Sequence, residues 1–202
     1  TVRVSELQEL TETPDALTIG AVVTYTKALP LIERLYPSFA TLVHRIGSRQ
    51  IRNLGTIGGN IGNASPIGDT PPSLIALGAT LTLVSPNASR ELPLEEFFLD
   101  YRRTDLAPNE VIRSVTVPKL GEGESFRVYK ISKRYDQDIS SVVGAFRLKI
   151  DGGKVTEARI AFGGMAATPK RATAAEAALV GAGMSEDVFR AAGQAVLKDF
   201  AP

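Results

Sequence analysis

The residues best suited to hold a ligand lie between Gly55 and Asp69. There the chain places five glycines, two asparagines, a threonine, a serine and an aspartate within 15 residues. Glycine lets backbone approach a ligand closely and tolerates positive φ. Successive unshielded N–H groups in such a segment form a concavity for an anion. Thr56, Asn60, Asn63 and Ser65 add hydroxyl and amide groups able to orient phosphate or sugar oxygens. Asp69-Thr70-Pro71-Pro72 reads as a helix start with Asp69 as N-cap, its positive end toward the loop. The same residues also permit a plain surface loop with Asp69 as a helix cap. Just upstream, Arg45, Arg49 and Arg52 cluster. They read as a solvated helix face, or as a group that faces an acidic partner or an anionic cofactor.

Other chemistries are poorly supplied. The chain has no cysteine, so it makes no disulfide and ligates no iron–sulfur cluster itself. Its one histidine, His44, sits in a helical setting without metal-ligand spacing, so no metal site is assigned. No residue stands out as a general base, and no catalytic residue is assigned. Lys and Arg number 23 against 22 acids, which gives nucleic-acid binding no electrostatic support. The longest apolar stretch, 74–84, is broken by Gly78, Thr80 and Thr82 and is too short to span a bilayer. No signal peptide is visible, and a cytoplasmic protein is expected. Hydrophobic residues at 44% and charged residues at 22% suit a chain with a real core. No G-x-G-x-x-G opens a helix after a strand, so no βαβ dinucleotide unit is expected.

The elements that must position these residues are legible in outline. Residues 17–23 read as a buried strand. A helical pattern runs from about 30 to 47, broken at Pro37, with Ser38 as a cap. Residues 48–63 read as irregular. A helix from Asp69 ends at Gly78. Residues 80–84 alternate as a strand, 94–98 form a short helix, and 110–117 form another strand ended by Pro118. Composition shifts at 119–124, a linker. Strand signals at 125–131 precede a long hairpin. Phe146, Leu148 and Ile150 face Val155, Ala158, Ile160 and Phe162 across an Asp151-Gly152-Gly153 turn. Thr168-Pro169 reads as a helix start, and Ser185 caps a last helix whose inner face carries Val188, Ala192, Val196 and Phe200. The pattern is α+β.

Four separated segments then carry a resemblance. Gln50 to Ile61 with Ala64 to Asp69 resembles the second FAD-binding segment of the molybdenum hydroxylase flavoproteins. That family includes xanthine dehydrogenase, aldehyde oxidase and the medium subunit of CO dehydrogenase. Leu92 to Phe98 is similar to the family's helix after a strand pair. Ser125 to Val143, with Ser132-Lys133-Arg134-Tyr135-Asp136-Gln137-Asp138-Ile139, resembles the loop beside the flavin in bacterial xanthine dehydrogenases. Ala161 to Ala166 and Thr168 to Ala172 resemble the opening of the family's C-terminal flavoprotein domain.

The resemblance implies the second part of a two-subdomain FAD-binding fold at 1–120, followed by a C-terminal domain of antiparallel sheet plus helices at 121–202. The family's earlier Gly/Thr/Asp phosphate loop is not found, and the C-terminal domain stops early. The chain therefore reads as a piece of a longer subunit. By resemblance Thr56, Gly58, Gly59 and Asn60 lie against the FAD pyrophosphate. Asn63, Ser65 and Asp69 reach the ribityl, ribose or ring edge, and Ile46 and Gly47 pack nearby. Ile112 gives an apolar wall to the flavin, although ordinary strand core fits it equally. Lys130 lies near the flavin pyrimidine edge, where a cation raises the cofactor's potential; a solvent-facing strand lysine is its other reading. The loop at 132–139 borders the side where nicotinamide approaches, or is a mobile surface loop. The implied function is the electron-transfer module of xanthine dehydrogenase. Electrons from purine oxidation at a molybdenum cofactor in a large subunit pass through 2Fe-2S clusters in sister domains to FAD and then NAD. The alternatives are a flavoprotein serving CO, an aldehyde or an aromatic acyl-thioester, and a docking domain without cofactor.

Overall fold

Two large antiparallel sheets and a third of only two short strands make up the β-structure of the computed structural model, which describes residues 4–200. A 3-10 turn at Ser5–Gln8 leads into β1 (Leu10–Glu12) and β2 (Ala16–Gly20). Four helices follow: α1 (Tyr25–Leu35), α2 (Pro37–His44), α3 (Arg49–Leu54) and α4 (Ile57–Gly62). After α5 (Thr70–Leu77) come β3 (Thr80–Ser85), β4 (Ala88–Pro93) and α6 (Leu94–Phe97). The short pair β5 (Phe98–Asp100) and β6 (Arg103–Thr104) precedes β7 (Val111–Pro118). The first sheet has the order β1-β2-β7-β3-β4. The second half holds β8 (Glu124–Ile131), β9 (Val142–Asp151), β10 (Lys154–Gly163) and β11 (Lys170–Arg171), in the order β11-β10-β9-β8. Helices α7 (Thr173–Leu179) and α8 (Glu186–Asp199) close the chain. The fold is α+β.

Helix α5 joins the two halves. All eight of its residues are buried, and it packs on β9 and β10 as well as on β7. Its end is a Schellman motif: Gly78 turns left-handed at φ 79°, and Ala79 N–H donates to Leu74 O at 2.9 Å. Two arginines of the second sheet add to this cap. Arg147 donates to Leu77 O at 3.1 Å, and Arg159 donates to Ile75 O at 3.0 Å and pairs with Glu95 at 2.7 Å. Cations there also complement the helix dipole. Arg159→Leu is expected to lower the unfolding free energy by about 2 kcal/mol, because a carbonyl and a carboxylate lose their donor; urea titration measures it.

The main core runs from the first sheet through α5 to the inner face of the second sheet, where Phe126, Val128, Val143 and Ala145 are buried. The other face of that sheet packs on α7 and α8 through Ile160, Leu179, Ala192 and Phe200. The hairpin turn has both glycines at positive φ, Gly152 at 55° and Gly153 at 76°, as a tight two-residue connection requires.

Several expectations need correction. Residues 48–63 are not irregular; Ser48 and Thr56 cap α3 and α4 by accepting from Ile51 N and Gly59 N. Tyr36, not Ser38, stands at the cap of α2, and Ser38 Oγ instead accepts from Val128 N–H on the edge strand β8 at 2.8 Å. Thr168-Pro169 starts no helix: β11 follows it, and α7 begins at Thr173. The amides of Ala174 and Ala175 are capped from a distance, by the Asp199 carboxylate at the end of α8. Asp69 makes no cap bond, since its carboxylate is engaged elsewhere.

Candidate cofactor site

Helix α4 is unusual in being half glycine, a residue that disfavours helix. Its first turn explains why it forms. Ile57 N–H donates to Val23 O, Gly58 N–H to Ala21 O at 3.1 Å, Gly59 N–H to Thr56 Oγ1 at 3.0 Å, and Asn60 N–H to Thr56 O. These amides are therefore satisfied within the protein. The expectation of unshielded N–H groups forming an anion concavity is overturned here, because tertiary contacts turned the loop into a helix. The glycines keep another use. Gly58 is buried against the Ala21 backbone, whereas Gly59 and Gly62 are exposed with Asn63 on one face of the helix. That face presents bare main chain, and Ile112 flanks it: a Cβ on Gly62 would meet Ile112 Cδ1 at 3.3 Å. Ile112 itself is half-buried against the core.

Beside α4 opens a cleft of about 320 Å³, walled on the far side by residues 137–140. Of the residues singled out in the sequence, it gathers Gly47, Asn60, Asn63, Ser65, Asp69 and Lys130. Thr56, Gly58, Gly59 and Ile112 lie on or beside α4 outside that lining, and Ile46 packs against the core.

At the cleft floor Lys130 Nζ sits 2.7 Å from Asp69 Oδ2, and their side chains are 2% and 11% exposed. Ser140 Oγ donates to the other Asp69 oxygen. The solvent-facing reading of Lys130 thus fails. Strand β8 alternates, and Lys130 shares the inward phase of Phe126 and Val128. Ser140, itself buried, was not foreseen from the sequence. Asn60 Oδ1 accepts from Thr70 Oγ1 at 2.6 Å.

The arginines are engaged with main chain. Arg45 donates to Tyr135 O at 2.9 Å, Lys130 O at 2.9 Å and Ser132 Oγ at 3.1 Å, with its guanidinium over the Tyr135 ring. Arg52 Nη1 donates to the carbonyls of His44, Ile46 and Gly47. Neither is a solvated charge nor a free anion ligand, and Arg49 is exposed. The segment 132–139 is also knitted together rather than loose. Asp138 accepts from the amides of Arg134 and Ile139 and from the Arg134 side chain. The Arg134 amide first, and then the Arg134 charge, hold its carboxyl below the usual range.

A second cavity, of about 360 Å³, lies between the second sheet and α8 and is almost wholly apolar, with Tyr129, Phe146, Leu148 and Phe189 in its wall. Arg127 and the Tyr129 hydroxyl are the only polar side-chain groups in its lining, and no second ion pair or amide converges on it as in the cleft beside α4. Among the described residues no cluster of His, Cys, Asp or Glu could hold a metal ion, and no helix is long and apolar enough to cross a membrane.

Known proteins align with both halves. Residues 1–120 match the FAD binding domain in molybdopterin dehydrogenase, and residues 127–202 match the CO dehydrogenase flavoprotein C-terminal domain. The glyceraldehyde dehydrogenase medium chain of Sulfolobus acidocaldarius is 31% identical over 93% of this chain and 67% of its own. The xanthine dehydrogenase/oxidase of Gallus gallus is 34% identical over 82% of this chain, which spans only 13% of that protein's length. Carbon monoxide dehydrogenase from Hydrogenophaga pseudoflava, in a form lacking the Mo-pyranopterin moiety of its cofactor, superposes with a TM-score of 0.93 at 33% identity. That alignment covers 99% of this chain and 70% of the other. With more than half its length matched by one family, and a relative above 30% identity across nearly all of it, the chain belongs to the FAD-binding flavoproteins of the molybdopterin dehydrogenases, the molybdenum hydroxylases.

Proposed function

We propose that this chain seats FAD in the cleft between α4 and residues 137–140, as the flavin module of a xanthine dehydrogenase. The observation that carries the reading is the floor of that cleft. A buried ion pair, Lys130–Asp69, stands beside a helix face stripped of side chains at Gly59 and Gly62. A flat, polyanionic dinucleotide fits such a wall: main chain allows close approach, and Asn60, Asn63 and Ser65 offer donors for its oxygens. Ile112 beside Gly62 gives the apolar contact that a flavin ring needs. FAD, when bound, supplies the electron-transfer chemistry; the protein supplies position and electrostatics.

Within this reading, 2Fe-2S domains and a molybdenum-cofactor subunit deliver the electrons, and NAD takes them up. The xanthine assignment rests on the 132–139 segment and on relatives such as that of Gallus gallus; the likeness to a CO dehydrogenase keeps another substrate as the alternative. Membership of an FAD-binding family speaks against a docking domain without cofactor. A cytoplasmic setting is part of the same proposal.

Gly59→Val tests the seat. Its Cβ would meet only Thr56 Oγ1, at 2.7 Å. Disturbing that cap costs about 1 kcal/mol, too little to unfold the protein. The branched side chain would stand on the face proposed for FAD, so flavin content, read from visible absorbance, is expected to fall at least about tenfold. Full flavin content in the folded variant contradicts the seat.

A further inference from the structure

Two buried polar groups, Tyr25 and Thr70, lead from the core to the half-buried Asn60 at the cleft. Tyr25, at the start of α1, is 3% exposed, and its hydroxyl makes no hydrogen bond of regular geometry. Its polar neighbour is the Thr70 hydroxyl, in a contact that falls short of that geometry. Thr70 is fully buried, and its hydroxyl donates to Asn60 Oδ1 at 2.6 Å. Asn60 lines the cleft. Burial pushes the Tyr25 phenol well above its ordinary value, against a smaller opposing effect of Thr70, so it keeps its proton.

Counting protons decides how the Asn60 amide is turned. The phenol proton needs an acceptor, and a buried donor left without one costs about 1–3 kcal/mol. The Thr70 oxygen can take it only if the Thr70 proton points onward. That proton then requires an acceptor at Asn60, which is Oδ1. Were the amide reversed, its NH2 would donate to Thr70, Thr70 would donate back to Tyr25, and the phenol proton would face the core with nothing to accept it. Hydroxyl chains of one sense also strengthen each other.

We infer that Thr70 is a positioning residue: it locks Asn60 so that both amide protons face the cleft, making Asn60 a donor-only contact for an oxygen of the bound dinucleotide. This rests on the FAD seat proposed above. The inward relay Tyr25–Thr70–Asn60 selects a ligand acceptor at that point and rejects a ligand donor. The amide is held before the ligand arrives, so no rotation has to be frozen on binding.

FAD titration of the flavin-stripped protein tests it. Thr70→Val keeps the shape and deletes the hydroxyl; binding is expected to weaken about tenfold, while Thr70→Ser stays near the parent. In an Asn60→Ala background the Thr70→Val change should produce no further loss, because there is no amide left to orient. Tyr25→Phe should show a smaller loss with the same dependence on Asn60, and it decides the matter if Thr70→Val does not fold. Parent-like affinity in Thr70→Val, or an equal loss in both backgrounds, overturns the inference and leaves the seat standing. Unchanged affinity in Asn60→Ala removes Asn60 from the seat and overturns both.

Discussion

Lys130→Met is expected to lower the unfolding free energy by about 3–5 kcal/mol. An exposed pair would be worth less than about 1 kcal/mol, so burial decides the size. Here the ammonium and the carboxylate are 2.7 Å apart with 2% and 11% of their side chains exposed. Methionine replaces the aliphatic stem but leaves Asp69 buried with only Ser140 as donor. Adding Asp69→Asn to the same protein should recover most of the loss, because no charge is then stranded. Denaturant titration of the parent, both single variants and the double variant reads the coupling directly. A loss below about 1 kcal/mol in Lys130→Met would show that water screens the pair.

The pair also changes how the cleft acts on a flavin. From the sequence, Lys130 was a lone cation next to the ring. In the structure its charge is matched by Asp69, so the floor of the cleft carries a dipole rather than a net charge. On the proposed seat, Lys130→Met leaves net negative charge there and lowers the FAD midpoint potential, whereas the double variant stays closer to the parent.

Gly58→Val is the second large effect. A Cβ at this position would lie 2.6 Å from the Cα, Cβ and carbonyl oxygen of Ala21. Two of these atoms are main chain and the Cβ is fixed rigidly to it, and the Gly58 N–H to Ala21 O bond at 3.1 Å ties the two segments together. Neither can retreat without breaking that bond, so the cost is expected to reach about 3 kcal/mol or more. Gly59→Ala, one residue on, meets only the end of the Thr56 side chain and should cost about 1 kcal/mol or less. Comparing the two denaturation midpoints separates a glycine kept for packing from one kept for access.

These contrasts show what the sequence could convey. The 142–163 hairpin was legible because alternation and a Gly-Gly turn are local signals. Helix α4 was not, because glycine propensity argues against helix and the contacts that form it come from residues 21 and 23. Even so, Thr56 at the position that accepts from Gly59 N–H was a readable cap. The burial of Lys130 was also readable: it stands two residues beyond Val128 and four beyond Phe126, in the inward phase of β8. Ser140 carried no such signal, since its partner Asp69 is 71 residues away. The arginines misled for a physical reason. The turn after α2, with Gly47 at φ 55°, leaves carbonyls unpaired, and Arg52 satisfies them from within the chain. Thr168-Pro169 had the composition of a helix start, yet the chain pairs there as β11 and α7 takes its cap from Asp199.

The proposed seat places FAD against α4 and the 130–140 segment. Hydrogen–deuterium exchange, compared between flavin-stripped and FAD-loaded protein, tests it most directly. Protection should rise in residues 59–70 and 130–140 and stay unchanged along α8. Protection concentrated at the apolar cavity between α8 and the second sheet, with α4 unaltered, would contradict it.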